Sequence, residues 1–323
     1  MKVHILDDWH DTLRHLPSFA ALAGHEVTVW TDSCLDPSIL ATRLHEAEVL
    51  VLFRERTPIT EALLARLPNL RLIAMRGVHP HVDVEACTRH GVLFCSDTRA
   101  GAPSIATAEL TLALMLACSR DLLAQNARLK AGLWQGPPGR TLAGRQMGIW
   151  GHGRIGRQVA LYARALGMPV VWWGSPEGRA RAEAAGETVA PSREAFFAGS
   201  DVVSIHLRLT PATRGLITAQ DLALMRPDAI FLNTSRAALV APGALLAALN
   251  AGRPGRAGID VFDTEPLTDP TDPLAHHPRI TATPHIGFVT EDDLDAQFAD
   301  VYALVTAFAA GAPIHALNPG VRP

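Results

Sequence analysis

The run Gly151-His152-Gly153-Arg154-Ile155-Gly156 lies between a short apolar segment, Met147-Gly148-Ile149-Trp150, and a helical pattern that begins Arg157-Gln158-Val159-Ala160. Where a strand hands over to a helix, three glycines at this spacing have different jobs. The first takes the angles of a tight turn, the second lets a pyrophosphate lie against the main chain, and the third lets the helix pack close to the strand. The amide groups and dipole at the start of the helix then face the phosphates. An ordinary turn needs only one or two of these glycines, so the whole context implies a dinucleotide site. A second candidate is weaker. His79 and His81 have the spacing of metal ligands on a strand, but Pro80 separates them and no third ligand is apparent, so no metal is expected.

The elements that must position these residues form two arrays. Strand-like runs at 3–6, 26–30, 48–53, 71–75 and 92–95 alternate with helical patterns such as 59–67 and 84–90. That alternation marks a parallel sheet covered by helices. A long helix is expected over 104–130, with Pro103 ahead of it and Gly132 past its end; its apolar residues cover most of its circumference, as in a helix buried between layers. The second array begins at the glycine turn, with strands expected at 147–150, 170–173, 202–205, 229–232, 258–260 and 280–283. One further helix, 291–311, and a short tail cannot make a domain and must dock on something earlier. The fold class is therefore α/β, with two doubly wound arrays.

Composition narrows the partners. A chain of 323 residues is long enough for two cores. A formal charge of −3 without basic clusters argues against a nucleic-acid surface. Cys34, Cys87, Cys95 and Cys118 are scattered, with no Cys-x-x-Cys pair, as in a reduced cytoplasmic protein. The first residues run directly into a strand pattern, so no signal peptide is expected. The longest apolar stretch, 110–118, is too short to span a bilayer, so no membrane partner is expected.

Three later segments join the glycine turn in a characteristic order: Leu232-Asn233-Thr234-Ser235-Arg236, Gly258-Ile259-Asp260-Val261-Phe262-Asp263-Thr264-Glu265-Pro266-Leu267, and Thr283-Pro284-His285-Ile286-Gly287. With Arg56-Thr57-Pro58-Ile59, Ala108-Glu109-Leu110-Thr111, Leu142-Ala143-Gly144-Arg145 and His206-Leu207-Arg208-Leu209-Thr210-Pro211, the chain resembles the D-isomer-specific 2-hydroxyacid dehydrogenases from Ala47 to its end. The resemblance implies a Rossmann domain at 103–288, set within a discontinuous flavodoxin-like substrate domain of 1–102 plus 289–323, with a cleft between them. It also implies a homodimer with the long helix at the interface, and an NAD(P)-dependent reductase of small 2-keto acids. Two other readings stay open: a phosphite-type dehydrogenase with the same triad, and a nucleotide-sensing corepressor-like binding protein. Formate dehydrogenase activity is disfavoured, because those relatives carry glutamine where Glu265 stands.

Reducing a 2-keto acid needs a hydride donor, a cation for the carboxylate and an acid for the new alkoxide. By resemblance, Arg236 holds the carboxylate, a role that suits its planar, permanently charged fork. His285 is the acid/base, and Glu265 fixes its tautomer and favours the imidazolium. Thr107, His206, Leu207, Thr213, Thr234, Ser235 and Asp260 fall at the family's cofactor positions. The loop Gly77-Val78-His79 falls where amides meet the substrate carboxylate. Arg54 and Arg76 are candidates for a second anionic group, and Phe288 for an apolar wall. Ala237 and Ala241 depart from the family, which usually has glycine and an acidic residue there.

The cofactor reading rests on a missing charge. An acid at the end of the second strand binds the adenosine ribose in NAD enzymes. Here that position is Gly174, which removes repulsion of a 2′-phosphate, while Ser175 and Arg179 are placed to bind it. NADP is favoured over NAD, although no arginine follows directly and Glu177 lies near.

Overall fold

A computed structural model of the chain describes residues 1–34, 36–97 and 105–321. Its internal contacts divide it into two units, Met1–Ala102 with Thr290–Pro323, and Pro103–Val289.

The first unit alternates β1 (Lys2–Ile5), β2 (Glu26–Val29), α1 (Pro37–Leu44), β3 (Val49–Val51), α2 (Glu61–Leu64), β4 (Leu72–Arg76), α3 (Val84–Arg89) and β5 (Leu93–Asp97). All five strands are parallel, in the order β2-β1-β3-β4-β5, which is the flavodoxin-like order. A parallel sheet is covered on both faces, so its inner strands read as unbroken apolar runs; Val49, Leu50 and Val51 are all buried. Local chemistry sets the helix starts. The Asp36 carboxylate accepts from the amides of Ser38 and Ile39, with Pro37 in the first turn, and Asp83 accepts from Ala86 at 2.8 Å.

The second unit opens with α4 (Ala106–Arg120) and α5 (Leu122–Lys130), then runs through β6 (Met147–Trp150), α6 (Arg154–Ala165), β7 (Val170–Trp173), α7 (Pro176–Ala184) and α8 (Arg193–Gly199). It continues with β8 (Val202–Ile205), α9 (Ala219–Leu224), β9 (Ile230–Asn233), α10 (Ala244–Asn250), β10 (Arg256–Ile259) and β11 (Ile280–Ala282). Its six strands are parallel in the order β11-β10-β9-β8-β6-β7, so the winding reverses between β6 and β8. One core packs Trp150, Phe196, Phe197 and Phe231 together, and another joins Leu114, Met115, Ile149, Val159 and Trp172.

The helix expected over 104–130 is corrected to two. Asp121 between them is left-handed, with φ of 52°, and both its carboxylate oxygens pair with Arg256 at 2.8 Å. α4 buries one face, including Ala108, Thr111, Leu114, Met115 and Cys118, and leaves Glu109, Ala113, Leu116 and Arg120 exposed, whereas α5 has no buried residue. Pro103 and the expected start at Ser104 lie outside the described residues.

The last helix, α11 (Glu291–Ala309), returns to the first unit and packs on β4 and β5. Thr290 caps it, and Leu294, Phe298, Val301, Tyr302, Leu304, Val305 and Phe308 face inward. Among the described residues no helix is long and apolar enough to cross a membrane.

Candidate active site

The glycine turn of the second unit lies beside the reversal of strand order. Gly151 follows β6 with φ of 114°, and a Cβ there would collide with the carbonyl of His206, which follows β8. Gly156 sits in the first turn of α6, where a Cβ would meet the Gly151 carbonyl and come within 3.4 Å of Trp172. Gly153 differs: nothing lies within 4 Å of the position its Cβ would take. Two of the glycines are therefore required by the protein's own packing, and the third leaves open backbone. Gly153 is the N-cap of α6 and no side chain caps that helix, so the amides of Arg154, Ile155 and Gly156 keep their donors for a ligand. This construction fits a pyrophosphate. The His152 ring meets Trp172 edge-on at 4.6 Å, and burial, then Arg157, hold its imidazole below the ordinary value.

Several other predicted cofactor side chains serve the scaffold. Thr234 is buried with its hydroxyl 2.8 Å from that of Thr111, and Ser235 donates to the Ile205 carbonyl at 2.8 Å. Thr213 donates to the Arg208 carbonyl at 2.7 Å and accepts from the Thr210 amide at 2.8 Å. Thr107 donates to the Gly287 carbonyl at 2.8 Å. His206 Nε2 lies 2.9 Å from Ser204 Oγ; burial pushes its imidazole down to about 4, so the ring is neutral. Leu207 packs beside Gly151. Asp260 is fully buried, and its carboxylate accepts from the Thr283 hydroxyl and the amides of Ile286 and Gly287.

At the end of β7, Gly174 has open space where a side chain would be. Ser175 Oγ accepts from the Gly178 amide at 3.2 Å and starts α7. The Arg179 guanidinium lies over the Trp173 ring at 4.3 Å. Glu177 is held below the ordinary carboxyl value by its own amide, then by Ser175.

The predicted triad gathers at the carboxyl ends of β9, β10 and β11. His285 Nδ1 lies 2.5 Å from Glu265 Oε2, and Glu265 Oε1 accepts from the Phe262 amide at 2.9 Å. Burial opposes the charge on Glu265, but its bonds to His285 and Phe262, with the Arg236 guanidinium nearby, hold the carboxyl below its ordinary value. His285 is left-handed, with φ of 55°, and Phe288 stands edge-on to its ring at 5.5 Å. Its Nε2 makes no hydrogen bond among the described residues. Arg236 is exposed and donates to the Ser235 carbonyl at 2.7 Å. Ala237, at the family's glycine position, opens a 3-10 turn, a right-handed conformation alanine adopts freely.

Asn233 is a residue sequence reasoning passed over. Buried at the end of β9, its side chain accepts from the Ser235 amide at 3.0 Å and donates to the Arg236 carbonyl at 2.9 Å. The signal was a polar residue ending an otherwise apolar strand.

The remaining predicted residues belong to the first unit. The Gly77 amide already donates to the Asp97 carbonyl at 3.2 Å, so only Val78 and His79 keep amides without a partner among the described residues. Arg54 follows β3 with φ of 61°. Arg76 pairs with Asp300 at 3.4 Å. The His79 ring rests edge-on against Phe94, and burial pushes the His81 imidazole down to about 4. Among the described residues, no group of three His, Cys, Asp or Glu side chains could hold a metal.

Residues 112–287 match the family described as D-isomer specific 2-hydroxyacid dehydrogenase, NAD binding domain. The chain belongs to the D-isomer-specific 2-hydroxyacid dehydrogenase family. It is 37% identical over 299 residues to D-3-phosphoglycerate dehydrogenase of Mycobacterium tuberculosis, covering 91% of this chain and 55% of that relative. The chain thus spans about half the length of the curated relatives it first matches. A glyoxylate reductase of Thermococcus litoralis is 32% identical, over 89% of this chain and 88% of its own. Among solved structures, a putative D-3-phosphoglycerate dehydrogenase oxidoreductase from Ralstonia solanacearum is 40% identical and superposes with a TM-score of 0.92, over 100% of this chain and 98% of that one. The second unit of this family member thus carries an NAD-binding domain, and the fold is that of the family.

Proposed function

We propose that this family member is a nicotinamide-dependent D-2-hydroxyacid dehydrogenase working as a 2-keto acid reductase. The observation that carries the reading is the hydrogen bond between His285 Nδ1 and the Glu265 carboxylate, on an edge that also presents Arg236 and the glycine turn. Gly153 and the first amides of α6 would hold the pyrophosphate of a nicotinamide cofactor, which would supply the hydride when bound. Arg236 holds the substrate carboxylate and polarises the ketone. Glu265 binds Nδ1, leaving Nε2 of His285 to deliver its proton to the alkoxide oxygen.

NADP is the favoured cofactor. Gly174 brings no charge to the ribose position, and Arg179, stacked on Trp173, is the nearby cation for a 2′-phosphate. The active form is a homodimer: Leu122, Leu123 and Leu129 of α5 are exposed, as is Leu133, and Trp134 is 75% exposed, an apolar surface that suits a partner subunit. Four free cysteines fit a reducing, cytoplasmic setting.

The test is oxidation of reduced cofactor with glyoxylate, hydroxypyruvate, pyruvate and phenylpyruvate, run with NADPH and NADH. At least one keto acid should be turned over, with NADPH preferred. A chain inactive on the whole panel sinks the reaction, and a clear NADH preference sinks the cofactor choice. If NADPH wins, Arg179→Ala should erode that preference and leave the NADH rate in place.

A further inference from the structure

We infer that a cleft at the amino-terminal edge of the second sheet is a binding site for a small organic carboxylate, separate from the edge that carries the glycine turn. The inference goes beyond the reaction proposed above and does not rest on it. The cleft has a volume of about 260 Å³ and lies wholly within the second unit. Val202, Ile230 and Arg256, which begin β8, β9 and β10, all line it. Those strands are four residues long, so about 10 Å of sheet separates the cleft from their carboxyl ends, the edge of Gly151 and Arg236. Leu142 and the prolines Pro137, Pro138 and Pro227 give it further apolar surface.

The charges of the cleft do not cancel. Arg140, Arg145 and Arg256 line it with Asp121, Asp201 and Asp228, and Arg226 pairs with two of these carboxylates. Four guanidinium groups thus share three carboxylates. Asp121 is taken up by its bidentate pair with Arg256. Asp201 accepts from Arg145 at 3.2 Å and from the Gln146 amide at 2.8 Å, with Arg226 at 3.1 Å. Asp228 pairs with Arg140 and Arg226; burial opposes its charge, but those two arginines hold the carboxyl below its ordinary value. One positive charge is left over. Arg120 adds another at the rim, where its side chain runs beside Gly139 and makes no ion pair among the described residues. Nη2 of Arg140 and Nη2 of Arg145 make no hydrogen bond among the described residues, so both forks still offer a donor to a planar carboxylate. The rim is already in place. The Ser119 carbonyl accepts from the Arg140 amide at 2.8 Å, and Gln125 donates to the Pro137 carbonyl at 3.0 Å and accepts from the Gly136 amide at 2.9 Å. Binding therefore needs little ordering of the chain. Surplus positive charge, two open forks and apolar walls together suit a monoanion with a compact apolar body.

The experiment is calorimetric titration of the full chain with benzoate, acetate and inorganic phosphate, repeated on Arg140→Gln, Arg120→Gln and, at the opposite edge, Arg236→Gln. Benzoate should bind with a Kd of about 1 mM or tighter. It should bind at least about tenfold more tightly than phosphate or than acetate, which has no ring to bury. Arg140→Gln should weaken benzoate about tenfold, the scale of one charge-assisted hydrogen bond. Arg120→Gln breaks no ion pair and should weaken it about threefold, which keeps the test decisive should Arg140→Gln fail to fold. Arg236→Gln, on the far edge, should leave the benzoate Kd within about twofold. No heat with benzoate overturns the inference. So does binding that survives Arg140→Gln and Arg120→Gln unchanged. Binding lost in Arg236→Gln overturns it as well, since the carboxylate would then sit at the catalytic edge. Acetate or phosphate binding as tightly as benzoate overturns the assigned ligand class.

Discussion

Both sheets reverse their winding once, between β1 and β3 in the first unit and between β6 and β8 in the second. Open parallel sheets present a crevice at such a point, outside the carboxyl ends of the strands. In the first unit the protein fills it with its own side chains. Asp7 accepts from the hydroxyls of Ser33 at 2.7 Å and Thr57 at 2.6 Å, and its carbonyl accepts from Arg56 at 2.6 Å. The Arg56 guanidinium lies over the rings of Trp9 at 3.7 Å and Phe53 at 4.2 Å. In the second unit, Gly151 and Gly153 keep side chains out of the same place. Topology offers a binding crevice in each unit, and residue choice decides whether it becomes architecture or a site.

The comparison can be broken at its strongest point first. His285→Ala should lower turnover by about 100-fold or more while leaving cofactor affinity alone, because general acid catalysis contributes on that scale. Steady-state rates beside a fluorescence titration check this, and near-native reduction would end the argument that the second sheet's edge does the chemistry. Asp7→Ala comes next. It strips the buried acceptor from two hydroxyl groups and should cost about 2–3 kcal/mol of stability in urea denaturation, with cofactor affinity unchanged. Lost cofactor affinity in a normally stable variant would mean that the first crevice is more than packing. The smallest effect sharpens the contrast. Gly153→Ala meets no protein atom within 4 Å, so the thermal midpoint should hold while cofactor Kd rises about tenfold. Unchanged affinity would show that the pyrophosphate does not approach the backbone there.

Legibility in the sequence followed the range of the interactions. The alternation of strands and helices and the glycine turn are written in neighbouring residues, and both are found in the structure. Arg236, Glu265 and His285 carry no local pattern of their own; only their order along the chain, compared with a known family, singled them out. The break at Asp121 was not readable, because the arginine that pairs with it lies 135 residues away. The hydrogen bonds of Asp260 were not readable for a similar reason. Their donors lie 23, 26 and 27 residues further on. Arg76 shows the same limit, since its partner Asp300 belongs to the last helix.

That last helix imposes an order on biosynthesis. The first unit is assembled from Met1–Ala102 and Thr290–Pro323, with the whole second unit translated between them. At about 5–20 residues per second, the ribosome takes on the order of ten seconds or more to cross that stretch. Throughout it, the first sheet waits without Phe298, Val301, Tyr302, Leu304, Val305 and Phe308, the side chains that later cover it. The second unit is one continuous stretch and can close as it leaves the tunnel. The nascent chain therefore carries a finished domain and, ahead of it, an uncovered apolar sheet. That sheet is the surface a ribosome-associated chaperone would shield until α11 emerges.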